Sequence, residues 1–213
     1  METEFRFISL GGDCQPGHHS RRILQQQDIP FVFDWLMTPV AAVEELIASE
    51  FADFFRTENL IWEQRDGYWS VTDGRHGVVS HHHFKAGPPE PIRQVHLTFR
   101  GYAQRFVKVL RRNRPVIYVR RWIKEDGDQR EAAAMRVYHR LRAYRPDCVL
   151  LYLQPHDPSP PQIEGGFMRA YNPSSETSTN WEGYIPIYQR NFARAARLAT
   201  AIATRAPVLT AHA

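Results

Sequence analysis

Pro115-Val116-Ile117-Tyr118-Val119 and Cys148-Val149-Leu150-Leu151-Tyr152-Leu153, separated by an alanine-rich stretch over residues 128–143, decide the fold of this chain. Both apolar runs are short, nearly unbroken and rich in β-branched or aromatic side chains, as strands buried on both faces are. The stretch between them is long enough for a crossover helix, and two strands joined in that way lie parallel. The expectation is an α/β fold: a three-layer sandwich with a mainly parallel sheet and helices on both faces.

Working outward, Val95, Phe99, Tyr102, Phe106 and Leu110 recur at helical spacing and predict a helix over about 91–112. Tyr188, Phe192 and Ala195-Ala196 predict another over 184–205. Thr38-Pro39 reads as an N-cap and a helix-starting proline, followed by Val40, Val43, Leu46 and Ile47 on one stripe. Residues 60–86 are strand-like and turn-rich, punctuated by Asp66-Gly67 and Asp73-Gly74. Residues 155–183, rich in Pro, Ser, Gly and Asn, read as a long loop near the strand ends. Residues 1–213 form most simply a single α/β domain.

At the other end, Phe5-Arg6-Phe7-Ile8-Ser9-Leu10 is an apolar strand that runs into Gly11-Gly12-Asp13-Cys14-Gln15-Pro16. The turn places a cysteine where a helix, near 16–27, begins. First-turn amides lack intrahelical partners and point, with the positive end of the helix dipole, at whatever caps them. A thiol there can have a lowered pKa and act as a nucleophile. Pro16 suits the first turn, where its missing N–H costs nothing. Asp13 works the other way and raises the thiol pKa if its carboxylate points inward. Position alone leaves Cys14 either a nucleophile or a small buried residue at a strand end.

Composition narrows the partners. With 43% hydrophobic residues the chain is globular, and two cysteines do not make a disulfide framework for 213 residues. The formal charge of +4 is carried mainly by arginine, as in Arg111-Arg112-Asn113-Arg114 and Arg120-Arg121. No aromatic-basic RNA motif or zinc-finger spacing accompanies it, so nucleic acid is not an expected partner. No apolar run approaches the roughly 18–20 residues that span a bilayer, and Met1-Glu2-Thr3-Glu4 is acidic where a secretory signal is basic. A cytoplasmic protein without a membrane partner or cofactor is expected, acting on a small molecule or a peptide.

Further candidates surround the thiol. In His81-His82-His83, strand alternation would put His81 and His83 on one face and His82 on the other, too few ligands on one side for a zinc site. One imidazole within hydrogen-bond reach of Cys14 would suffice as a base. Asp34, between Phe33 and Trp35, needs a partner if buried; it either orients an imidazole or caps the helix that follows. His18 and His19 follow Cys14 on its helix. His156-Asp157, at the carboxyl end of the second apolar run, stands where ligands bind in open α/β sheets and is a reserve acid–base pair.

Ile8-Ser9-Leu10-Gly11 with Cys14, then Phe33-Asp34-Trp35, then Gly77 with His82 and Phe84, and finally Val116-Ile117-Tyr118-Val119-Arg120, resembles an uncharacterised bacterial family described as papain-like cysteine peptidases. The likeness covers about the first 120 residues. Val32 stands where the family pattern has proline, and His83 where it has aspartate after the motif histidine. The resemblance implies Cys14 as nucleophile and His82 as base. It also implies an alternative fold, α+β papain-like, with the cysteine-bearing helix packed on an antiparallel sheet. The Gly12-Asp13-Cys14 turn is similar as well to the Gly-Asp-Ser block of small flavodoxin-like esterases, whose late Asp-x-x-His pair is not evident here.

Together these features predict a thiol-dependent hydrolase, peptidase or acyl transferase, with Cys14 attacking a carbonyl, His82 taking its proton and Asp34 orienting the histidine. Amides of the 11–16 turn would hold the oxyanion, and Gly12, Asp13, Trp35, Arg120, His156 and Asp157 would contact substrate. The alternative is a sugar- or phosphate-binding module or transferase, with Arg120, Arg121 and the 155–183 loop forming an arginine-lined site and Cys14 merely packed. A third reading is an interaction protein that uses the aromatic segment 60–71 as its contact surface.

Overall fold

The computed structural model describes residues 5–24, 30–65, 67–84, 87, 92–111, 115–155, 160–173 and 185–205. In chain order the first half holds β1 (Arg6–Ser9), α1 (Gln15–Leu24), β2 (Leu36–Met37), α2 (Val40–Ala48), β3 (Leu60–Arg65), β4 (Tyr68–Asp73), β5 (Val78–Ser80) and α3 (Ile92–Leu110). The second half holds β6 (Val116–Arg121), α4 (Arg130–Tyr144), β7 (Val149–Gln154), β8 (Gln162–Glu164), β9 (Phe167–Tyr171) and α5 (Ile185–Arg205).

The chain is mixed α/β, with a mostly parallel five-stranded sheet in the order β1-β6-β7-β9-β8 and an antiparallel four-stranded sheet in the order β2-β5-β4-β3. In the first sheet only β8 runs against its neighbour. Its register aligns Ile8, Tyr118, Leu150 and Phe167 across four strands. These four belong to one apolar cluster, with Phe99 and Phe106 of α3 and Val137 and Leu141 of α4. The alternate residues Phe7, Ile117, Val119, Leu151 and Met168 form a second cluster with Tyr188, Phe192 and Ala195 of α5. The unbroken apolar runs follow from this, because every second residue faces a different core. The helix that begins after Cys14 packs on β1 and β6, which are parallel, and not on an antiparallel sheet.

Three local expectations are corrected. Residues 162–171, read as loop, form a hairpin through Gly165-Gly166, and β9 joins β7 in parallel. The short β8 is exposed throughout and offers no apolar alternation to read. Thr38 does not cap α2: Pro39 stands at the N-cap, Thr38 Oγ1 is buried without a hydrogen-bond partner, and the Thr38 N–H donates to the Gly12 carbonyl at 3.2 Å. Asp126, 86 positions away, accepts the Val40 N–H at 2.7 Å in its stead. The histidine triplet is not strand, since β5 ends at Ser80 and residues 81–83 make a bend, so two-residue alternation does not apply to it.

The turn before α1 is held on three sides. Gly11 accepts the Arg121 N–H through its carbonyl, and its own N–H donates to Ser9 Oγ at 3.0 Å. Both turn glycines have positive φ, +73° at Gly11 and +100° at Gly12. A Cβ on Gly12 would collide with the Arg121 carbonyl oxygen. Arg120 is fully buried and donates to the Leu10 carbonyl at 3.3 Å and to Asp126 at 2.5 Å. Among the described residues no helix is long and apolar enough to cross a membrane.

Gly12→Ala therefore costs about 3 kcal/mol or more, from the positive φ together with the collision. Gly67→Ala, at φ +85° with nothing within 4 Å, carries the conformational cost alone. Urea unfolding of the two variants against the parent chain checks the difference.

Candidate functional site

Cys14 occupies the N-cap of α1, and its carbonyl accepts the His18 N–H at 3.0 Å. The thiol is free and half-buried, at the end of the sheet where the parallel strands have their carboxyl termini. Beside it, Asp13 accepts the Gln15 N–H at 3.0 Å through one carboxylate oxygen and pairs with Arg121 through the other. Asp13 therefore uses the first free amide of the helix. Burial, and after it the Asp13 charge, pushes the Cys14 thiol up to about 11; its own amide and Arg121 pull the other way more weakly. The helix start does not win here, because one of its amides is committed to Asp13 and the sulfur is largely out of water. Cys148 is deeply buried, and desolvation pushes it up to about 12, which makes it the more inert thiol.

A second group of residues meets the same helix two turns further on. Asp34 is buried and accepts from the Phe31 N–H at 3.0 Å and from Arg21 at 3.2 Å. A Cβ on Gly17 would stand 2.6 Å from Asp34 Oδ1, so the carboxylate lies directly on α1. Burial raises the Asp34 pKa to about 6 in spite of Arg21 and the Phe31 amide. The Arg21 guanidinium lies 5.1 Å from the Trp35 ring centroid, and the Trp35 ring meets His82 edge-on at 5.9 Å. Trp35 holds φ at +64°, a conformation that costs a large residue about 1–3 kcal/mol and needs surrounding contacts to persist.

Cys14, Gly17 and Arg21 recur at positions i, i+3 and i+7, one stripe of a helix. Arg21 thus follows the thiol on the same face by about 10 Å along the axis. The contacts run from that stripe through Arg21 and Trp35 to His82, whose ring is exposed. Among the described residues no hydrogen bond joins Cys14 to His82. The other two histidines are engaged elsewhere. His81 Nε2 lies 3.2 Å from Met37 Sδ, and His83 Nδ1 lies 2.9 Å from Ser80 Oγ, with burial lowering its pKa to about 4.

Of the other predicted contacts, Gly12 and Asp13 border Cys14, and Trp35 stands beside His82. Arg120 spends its charge inside the fold on Leu10 and Asp126. His156 and Asp157 lie outside the described residues. The sequence points to Arg121 only for the arginine-lined alternative; in the structure it pairs with Asp13 beside Cys14, a placement that strand parity could have found. It shares a strand face with Ile117 and Val119, the side on which α1 and α5 pack, whereas Arg120 shares the Val116 and Tyr118 face. Tyr188 of α5 belongs to the apolar stripe that predicts its helix, and nothing local marks it for the site. It stacks on His19 at 3.9 Å and donates to Gln15 Oε1 at 3.0 Å, fixing the first turn of α1 from behind. Among the described residues no group of three or more His, Cys, Asp or Glu side chains could hold a metal.

Neither the curated proteins nor the solved structures contain a significant match to the chain. A family model does match, over residues 5–149, a span that includes Cys14, Asp34, Trp35, His82 and both central arginines. By that match, which covers more than half of its length, the chain belongs to the family described as "Putative papain-like cysteine peptidase".

Proposed function

We propose that the chain is a thiol-dependent hydrolase or acyl transferase with Cys14 as nucleophile and His82 as base. The observation that carries this reading is the half-buried free thiol at the N-cap of α1, on the helix stripe whose Arg21 leads through Trp35 to His82. Membership of the family described as "Putative papain-like cysteine peptidase" is compatible with it. The fold reading that accompanies it is a three-layer sandwich, with α1 and α5 on one face of the parallel sheet and α3 and α4 on the other.

A thiol with a pKa near 11 is protonated at rest, so attack needs a base at the moment of reaction. Sγ bonds to the acyl carbon, the thiol proton reaches His82 in the bound complex by way of water or substrate, since among the described residues no hydrogen bond joins the two groups at rest, and the carbonyl oxygen gathers the negative charge. Gly11 and Gln15 have committed their amides to Ser9 and Asp13, the Cys14 amide is turned to its own thiol, and Pro16 has none, which leaves the amides of Gly12 and Asp13 for that oxygen. The intermediate collapses with loss of the leaving group protonated by His82, and water or an acceptor then releases the acyl group. Asp34 is a positioning residue in this scheme: it holds Arg21, Arg21 supports Trp35, and Trp35 sets the His82 ring. Peptide amides and small acyl esters are the substrate classes. The alternative of an arginine-lined site has less support, because the charge of Arg120 is spent on buried Asp126 and that of Arg121 on Asp13.

The direct test is p-nitrophenyl acetate followed by intact mass. One acetyl group is expected on Cys14, none in Cys14→Ser, and acylation about 100-fold slower or more in His82→Ala. Acetylation of Cys148 instead, or an unchanged His82→Ala rate, rejects the assignment. Iodoacetamide labelling of the resting protein is expected to rise with pH toward about 11. Asp13→Asn accelerates it at pH 8 and Arg121→Gln slows it, because Asp13 raises the thiol pKa and Arg121 lowers it.

Asp34 titrates higher in the folded chain, about 6 against an ordinary 3.8, so the native state holds its proton more tightly than the unfolded state. Its contribution to stability is complete below pH 3.8 and is lost as pH rises through 6, by about 3 kcal/mol. The stability of the parent chain relative to Asp34→Asn therefore falls between pH 4 and pH 7, as measured by urea unfolding at each pH.

A further inference from the structure

The groove between residues 50–58 and α3, away from Cys14, has a volume of about 970 Å³. Its floor is aromatic, formed by Phe51, Phe54 and Phe99. Along one wall α3 presents His96, Arg100, Gln104 and Lys108 at intervals of four residues, a single helix stripe about 18 Å long. Arg100 and Lys108 are exposed, and among the described residues neither is paired with an acidic group. His96 Nε2 is buried without a hydrogen-bond partner and also borders an adjoining hollow with Arg93. On the facing wall, Glu50 is already taken by Arg111 and Glu58 lies 3.7 Å from Arg56. The groove is thus an apolar trench with two unpaired cations, Arg100 and Lys108, and the unpartnered His96 imidazole along one side.

We infer that this groove is a docking site for an acidic peptide segment, one that lays aliphatic or aromatic side chains on the phenylalanine floor and sets carboxylates against Arg100, Lys108 and His96. Charge complementarity selects the occupant. The cations are spaced along the helix, so a ligand with one anionic head engages only one of them, whereas an extended peptide of about six residues spans the row. Guanidinium and ammonium groups at the rim steer an acidic partner and set its register, and the buried aromatic floor supplies the apolar contact. The inference does not rest on the chemistry assigned to Cys14.

The test is fluorescence anisotropy of a fluorescein-labelled peptide of about ten residues, alternating glutamate and leucine, titrated with the intact chain. Saturable binding is expected, weakened by added salt and by at least about tenfold in the Arg100→Glu/Lys108→Glu double variant. Both side chains are exposed, and an unchanged thermal melt of the double variant confirms that its fold is kept. Phe54→Ala weakens binding, whereas Cys14→Ser binds as the parent chain does, which separates this site from the thiol. Absence of saturable binding, equal binding of a lysine–leucine peptide, indifference to the charge reversal, or tighter binding of a single-stranded RNA of matched charge overturns the proposal.

Discussion

The buried pair between Arg120 and Asp126 is the contact on which the rest of the architecture near Cys14 depends. Both side chains are essentially inaccessible, 1% and 0%, at a separation of 2.5 Å. Such a pair is costly to desolvate and is sustained only when the remaining hydrogen-bonding capacity is also met. Here it largely is: Asp126 accepts the Val40 and Ile123 amides, and Arg120 donates to the Leu10 carbonyl. One ion pair thereby joins the end of β1, the end of β6 and the start of α2. Removing either partner leaves an uncompensated buried charge, so the pair secures geometry more than it adds stability.

From that knot the site follows in order. With β1 and β6 held in register, the turn has room only for glycine at position 12, where the chain passes against the Arg121 carbonyl. The turn delivers Cys14 to the N-cap, and Gln15, fixed by Tyr188, begins the helix. The stripe below the thiol carries Gly17 and Arg21, and these receive Asp34 and Trp35 from the segment leading into β2. The parallel sheet supplies the thiol and the antiparallel sheet the histidine bend, while α1 is the element common to both sets of contacts. A resting thiol held protonated by burial and by Asp13 fits chemistry in which the base acts on the bound complex.

Much of this was legible in the chain because it is local. The Val116–Val119 and Val149–Leu153 runs declare a doubly buried parallel pair, and the Gly-Gly-Asp-Cys turn declares a helix start, since both signals lie within a few residues. The β8–β9 hairpin was hidden by an exposed, three-residue strand with no alternation. The Thr38 cap does not form because a carboxylate from a distant loop takes the Val40 amide and the helix begins one residue later than Thr38-Pro39 suggests. The strand period does not reach the histidine triplet, because β5 ends at Ser80, before its first residue. Asp34 was open between two roles, and its partner proved to be Arg21, a residue with no local mark of its own.

The sequence by itself determined the parallel α/β core, the position of Cys14 at a helix start, and the strand-rich character of 60–80, all consequences of short-range periodicity and backbone sterics. Only the tertiary structure decided which arginine meets Asp13, where Asp34 finds its counter-charge, which histidine turns toward Trp35, and in which direction the thiol pKa moves. Those outcomes depend on burial and on charges brought together from elements far apart in the chain. Desolvation and Coulomb energy act through space, and the order of residues along the chain does not encode them until the sheets and helices have packed.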